Sequence, residues 1–273
     1  MKYLIILLIT ILLGSVFLLG FYLPRKPGTE ETTIFLVKKG ESAKEISLNL
    51  KEQGLINSSL LFRIYALATN QAVKLQAGEY ELSPAMNIPE IVAKLVSGEV
   101  IKRQITIIGG WTIKDVEEYL GGKIDPKLEG YLFPDTYEVN AEDNVEEIVQ
   151  KILDNFDKKV RSHFGAELTP EAVIMASLLE KEVKTPEDKK IVSGILWKRL
   201  KVGMPLQVDA APDTYKYQGL PPSPICNPGL ESIEAAIYPQ ESEYWYYLSA
   251  SDGKTIFSKT LAEHNIAKAK YLK

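Results

Sequence analysis

The sequence predicts an α+β protein in two parts behind an N-terminal membrane helix, and three observations carry that prediction. Residues 3–24 are uncharged and dominated by Leu, Ile, Val and Phe. Residues 34–100 read as a compact strand–helix–helix–strand unit, and residues 101–273 as longer helices mixed with extended pieces and a hairpin. With 273 residues, 45% hydrophobic and 25% charged, the chain is long enough for one large or two modest cores. The expected division is a transmembrane signal anchor at 1–24, a linker at 25–33, a small subdomain at 34–100 and a larger α+β domain at 101–273.

As a helix, residues 3–24 span about 30 Å, the thickness of a bilayer core. Lys2 precedes the segment and Arg25-Lys26 follow it. A cleaved signal peptide has a shorter apolar region and a small-x-small cleavage site, which Gly20-Phe21-Tyr22-Leu23-Pro24 does not offer. The reading is an uncleaved anchor in the cytoplasmic membrane, with the long C-terminal body outside the cytoplasm.

Residues 34–38 alternate as a strand. Gly40-Glu41-Ser42 turns into a helix at 42–53 that ends at Gly54, and a second helix follows at 58–69. Residues 78–82 return as a strand, and 88–97 form a helix with Asn87 as cap, Pro89 in the first turn and Gly98 at its end. The order resembles a LysM module, a small glycan-binding unit, as does the V-x-x-G-[ED]-[ST] opening at Val37–Ser42. An ordinary small α+β subdomain has the same order.

A strand at 101–108 and Gly109-Gly110 lead to a helix near 112–120. Residues 128–139 then alternate aromatics and acids around Pro134, which suits either a sugar cleft or the edge of an aromatic core. The helix at 170–183 has clear ends: Thr169 is its N-cap, Pro170 suits its first position, and Thr185-Pro186 stops it. Another helix opens at Thr185 and ends at Gly203. Pro205–Asp209 is extended, 219–229 is a proline-stiffened loop, and 232–238 is a short helix. A β-hairpin joins 244–249 to 255–258, and 261–272 closes the chain as a helix.

Net charge is −4, and no basic stripe carries interleaved aromatics, so nucleic acid is not an expected partner. Two histidines and one cysteine cannot build a His- or Cys-rich metal site. No H-E-x-x-H, C-x-x-C, P-loop, G-x-G-x-x-G or G-x-S-x-G occurs. Neither a metal nor a cofactor is expected. Cys226 reads as a bystander.

What remains is carboxylate chemistry. Glu180 and Glu182 lie in an apolar helix, Glu180 with Val173, Ala176 and Val183, and Glu182 among Met175, Leu178 and Leu179. A carboxyl in apolar surroundings has its pKa raised and can act as a general acid. The alternative is a structural pairing with Lys181, Lys184 or a buried arginine. Helix periodicity ranks neither glutamate above the other.

Ala176-Ser177-Leu178-Leu179-Glu180-Lys181-Glu182, Glu129–Tyr137, Pro205–Asp209, Gly219–Gly229 and Leu261-Ala262-Glu263-His264-Asn265 together resemble the endolytic murein transglycosylases of the YceG-like family. The resemblance spans nearly the whole chain. It implies a membrane-anchored bacterial enzyme that cuts within peptidoglycan glycan strands, leaves 1,6-anhydro-N-acetylmuramic acid ends and so terminates nascent strands. It also implies peptidoglycan synthases as partners. It places the catalytic acid at Glu180, the first glutamate of the triplet, with Glu129, Tyr131, Gln207, Asp209 and Asn227 holding the glycan or orienting the acid. The chain departs from the family in a short 210–218 segment and in Ala211, where the family commonly has Thr. A non-catalytic glycan-binding scaffold is the rival expectation.

Overall fold

The computed structural model describes residues 3, 14, 19–250 and 253–272. The expected membrane segment therefore lies largely outside the described residues, and among these no helix is long and apolar enough to cross a membrane. The chain divides into two compact units, Met1–Arg103 with Glu138–Asp143, and Gln104–Tyr137 with Asn144–Lys273.

In the first unit, β1 (Thr33–Val37) is followed by α1 (Ala43–Glu52), α2 (Ser59–Ala68), β2 (Gly78–Leu82) and α3 (Ile88–Ser97). The strands pair antiparallel, Phe35 opposite Tyr80 and Thr33 opposite Leu82. Period-two alternation turns Phe35, Val37, Tyr80 and Leu82 inward onto Ile46, Leu50, Phe62, Ile91 and Leu95. Reciprocal capping boxes, Ser42 with Glu45 and Asn87 with Glu90, start α1 and α3. This is the expected element order; the LysM likeness rests on that order and the Val37–Ser42 opening.

β3 (Lys102–Thr106) follows, then α4 (Ile113–Leu120) and β4 (Thr136–Asn140), which pairs with β3. The chain continues as α5 (Val145–Phe156), which runs into a π-helical turn at Asp157–Arg161. Neither β4 nor α5 was expected from the sequence. Both had a signal: Tyr137 and Val139 alternate inward, and Asn144 forms a capping box with Glu147 ahead of buried Ile148, Ile152 and Phe156.

The second unit is organised by α6 (Pro170–Glu182), with Thr169 as N-cap. Its residues Ala172, Val173, Met175, Ala176, Ser177, Leu178 and Leu179 are all buried. A helix apolar on every side must be surrounded, and α7 (Pro186–Lys201) and α8 (Leu230–Ile237) pack on it. The antiparallel hairpin β5 (Tyr246–Ser249) and β6 (Thr255–Ser258) and helix α9 (Leu261–Tyr271) complete the unit.

Asn227 is fully buried and ties three segments together. Its Oδ1 accepts from Gly130 N and Leu132 N, both at 2.9 Å, while Nδ2 donates to Trp111 O and to Glu129 Oε1. Glu129 in turn accepts from Ile113 N at 3.0 Å. Gly130 makes this junction possible: its φ is 91°, and a Cβ there would lie 2.6 Å from Pro224 and 2.9 Å from Val173. Gly130→Ala is therefore expected to cost on the order of 2–3 kcal/mol in urea unfolding, well beyond an ordinary surface substitution.

Candidate active site

Residues two apart on a helix point about 200° away from each other. The last turn of α6 thus sends Glu180 and Glu182 to opposite sides, into environments of different chemistry.

Glu180 does not sit in apolar surroundings, contrary to the expectation from its helix face. Its Oε2 accepts from the ammonium of Lys189 on α7 at 3.3 Å, from Gly229 N at 3.3 Å and from the Ser232 hydroxyl. Lys189 is itself buried. Gly229 is the N-cap residue of α8 and has no side chain to cap it. The Glu180 carboxylate sits at that end instead, accepting from the cap residue's own N–H and the Ser232 hydroxyl beside the positive end of the helix dipole. A Cβ at Gly109 would come within 2.7 Å of Glu180 Oε1, so the Gly109-Gly110 turn closes over the other oxygen. Glu180 joins α6, α7 and α8, and it lines an open groove of about 370 Å³ with Phe133, Asp135 and Lys159.

Glu182 opens instead onto a cavity of about 270 Å³, lined also by Arg199, Gln207, Asp209, Tyr215, Tyr247 and His264 among others. Burial pushes its carboxyl above the ordinary value, the negative charge of Asp209 adds to this, and the amide of Ala210, donating to Oε1 at 2.9 Å, opposes it. Tyr215 donates to Asp209 Oδ1, and burial raises the Tyr215 hydroxyl to about 12. Tyr247 is raised well above its usual value, first by burial and then by the charge of Glu182. Its hydroxyl faces the Glu182 carboxyl and opposes the rise in that group's pKa, while His264 Nδ1 is buried without a hydrogen-bond partner among the described residues. Polar atoms left so are costly unless a bound molecule or water completes them.

The walls are held from behind. The buried Arg199 guanidinium donates to Leu206 O and Trp245 O, each at 2.6 Å, and lies over the Tyr246 ring, on whose plane His264 stacks. Burial lowers the His264 pKa, which keeps the ring neutral near pH 7. Gln207 has φ 55°, a left-handed conformation unfavourable for a side chain with a Cβ, and such strain persists where surrounding contacts over-determine it. Those contacts come from Thr214: its backbone oxygen accepts from Gln207 N, and its hydroxyl accepts from Val208 N and donates to Ala211 O. The short 210–218 segment is thus a tight closed turn that delivers Tyr215 into the cavity, and Ala211 is buried beneath it.

Of the expected site residues, Gln207 and Asp209 come together, and they do so around Glu182. Asn227 and Glu129, expected to hold the glycan or orient the acid, have their polar atoms taken up by backbone and by each other. Tyr131 is half-buried and packs edge-on against Phe156 at 5.3 Å, at the margin of the core. Arg199, Tyr215 and Tyr247 were not singled out from the sequence; His264 was quoted in a motif without a role. Among the described residues, no group of three or more His, Cys, Asp or Glu is placed to hold a metal ion.

The two glutamates should separate in stability. Glu180→Gln removes the charge nearest the buried Lys189 ammonium, leaving Glu231 at 4.0 Å, an expected loss of about 3 kcal/mol in denaturant unfolding. Glu182→Gln should act in the opposite sense above pH 4.5. A carboxyl whose folded pKa is raised holds its proton in the native state, so the wild type loses stability as pH rises through that pKa while the variant does not. Unfolding free energies of both variants from pH 4 to 8 check this.

The model of the YceG-like family matches residues 35–212 and 213–270. An endolytic murein transglycosylase of Bacillus subtilis is 29% identical, over 96% of this chain and 91% of its own length. One from Streptococcus pneumoniae D39 is 24% identical over 92% of this chain, which spans 60% of that longer protein. A crystal structure of a YceG-like protein from Listeria monocytogenes superposes with a TM-score of 0.55 and 29% identity, over 88% of this chain and all of that one.

Proposed function

Because the chain belongs to the YceG-like family, we propose that it is a lytic transglycosylase that cuts within the glycan strands of peptidoglycan and uses Glu182 as its acid. The similarity to proteins named endolytic murein transglycosylases supports the reaction class. The observation that carries the assignment of the acid is the burial-raised carboxyl of Glu182 at the wall of the cavity. Glu180, to which the family resemblance pointed, is occupied by Lys189, Ser232 and Gly229 and acts as a strut.

In this reading, protonated Glu182 gives its proton to the oxygen linking N-acetylmuramic acid to N-acetylglucosamine. The C1–oxygen bond breaks, and positive charge develops at C1 of the muramic residue. The negative charge of Asp209 lies close enough to Glu182 to raise its pKa, so it also favours a cation forming beside that carboxyl. The Glu182 carboxylate then takes the proton from the C6 hydroxyl of the same sugar, and O6 closes on C1 to form the 1,6-anhydro ring. One carboxyl acts as acid and then as base, no water is consumed, and the two-carboxylate geometry of ordinary glycosidases is not required. His264 offers a buried ring nitrogen for a sugar hydroxyl.

The apolar segment expected at 3–24 is proposed as the anchor that holds the enzyme in the cytoplasmic membrane, facing newly made strands, with residues 3–18 entering the bilayer and Phe21 already packed in the first unit. Cleavage there ends their elongation.

The test is mass spectrometry of peptidoglycan digested by the full chain in detergent. Wild type is expected to generate internal anhydro-muramyl ends, and Glu182→Gln to lower their rate by at least 10³-fold. Glu180→Gln, assayed at a temperature where it stays folded, should retain product formation. Loss in Glu180→Gln alone would return the acid to Glu180. Reducing ends without the anhydro ring would identify a hydrolase, and bound but uncut glycan a scaffold.

A further inference from the structure

Acidic residues number 36 in the 273 of the chain, yet Gln53 through Gly78 contain none. The only charged side chains in that stretch are the cations Arg63 and Lys74. All of α2 falls within it. Phe62 and Ala66 of α2 face the core, while Leu60 and Leu67 are 56% and 69% exposed. With half-buried Ile64 between them, the i, i+4, i+7 spacing lines these side chains along one stripe. Val73, just beyond the helix, is 88% exposed. Scattered apolar residues on a surface need no explanation, but a helical stripe of them in an acid-free, cationic stretch does.

The neighbouring stripe of α2 receives the residues that emerge from the apolar N-terminal sequence. Residues 19–22 are helical. A Cβ on Gly20 would lie 3.0 Å from Leu61 Cδ1, and the Phe21 ring sits 5.7 Å from that of Tyr65. Arg25 Nη1 then donates to Ile56 O at 3.2 Å. Tyr22 and Leu23 are themselves largely exposed. The start of the first unit is thus fixed against α2 at the point where the chain leaves its uncharged segment.

We propose that the α2 face formed by Leu60, Ile64 and Leu67, together with Val73, docks on the lipid bilayer that residues 3–18 enter. The proposal rests on the membrane-anchor reading above. A helix held against the exit of an anchor presents its adjacent stripe at headgroup depth, where apolar side chains bury and Arg63 and Lys74 meet lipid phosphates. Carboxylates there would be repelled by anionic lipid and would lose hydration, which accounts for their absence. The docking fixes the orientation of the first unit on the membrane by two contacts rather than a single tether.

Bimane on single introduced cysteines tests this in the full chain, reconstituted in phosphatidylethanolamine–phosphatidylglycerol vesicles with acyl chains brominated near the headgroup. Cys226 is fully buried and does not compete for label. Leu67→Cys and Val73→Cys are expected to be quenched at least threefold more than Leu48→Cys, an exposed site on α1 near Glu45 and Glu52. Leu12→Cys, quenched by chains brominated at mid-depth, reports the anchor independently. Quenching at 12 with positions 67 and 73 no different from 48 overturns the docking face and leaves the anchor standing. Quenching at 67 and 73 without 12 supports the face and overturns the anchor. No quenching at any site overturns both.

Discussion

The burial of α6 between Ala172 and Leu179 is the constraint on which the second unit depends. Glu180 and Glu182, at the end of this stretch, are only partly exposed, and a carboxyl withdrawn from water needs a partner or holds its proton more tightly. Glu180 and Glu182 take the two different solutions. Glu180 pairs with a buried ammonium and meets the N-terminal end of α8, which locks the three helices that form the core. Glu182, on the other side of the same turn, meets the amides of Asp209 and Ala210, the Tyr247 hydroxyl, the charge of Asp209 and a cavity. A strut and a cavity-facing carboxyl are separated by a single intervening lysine.

The rigidity matters to the chemistry because the cavity walls come from segments far apart in the chain. Arg199 on α7 holds the residue just before β5 through Trp245 O and the extended piece through Leu206 O. Thr214 closes the turn that carries Gln207 and Asp209 and brings Tyr215 onto Asp209. Few of these contacts touch the cavity's contents. They set distances among groups that do, which is what a reaction with one carboxyl acting twice requires. The shortness of the 210–218 segment is compatible with this arrangement, since its hydrogen bonds are satisfied internally.

Asn227 provides the corresponding device elsewhere in the same unit. Its amide can serve two donors and two acceptors at once, and it is buried where three loops meet. An Asn-Pro-Gly sequence with aromatic and acidic loops nearby has the residue types of a sugar cleft. The same types also build a satisfied polar junction, and only the bonding pattern distinguishes the two.

Local signals therefore determined a good deal. Caps at Thr169 and Thr185, the proline at each helix start, the alternation in β1 and β2 and the hairpin near residue 253 are short-range physics, and they placed most elements to within a few residues. Composition and helix spacing also singled out the Glu180–Glu182 pair, while Gln207 and Asp209 entered only through the family resemblance. Helix periodicity puts both glutamates on apolar faces and contains no term that separates them. What only the tertiary structure decided was which of the two faces meets Lys189 and Ser232 and which meets a cavity. Those partners lie 9 and 52 residues from Glu180 in the chain, and desolvation and charge at a carboxyl depend on everything folded against it, not on its neighbours in sequence.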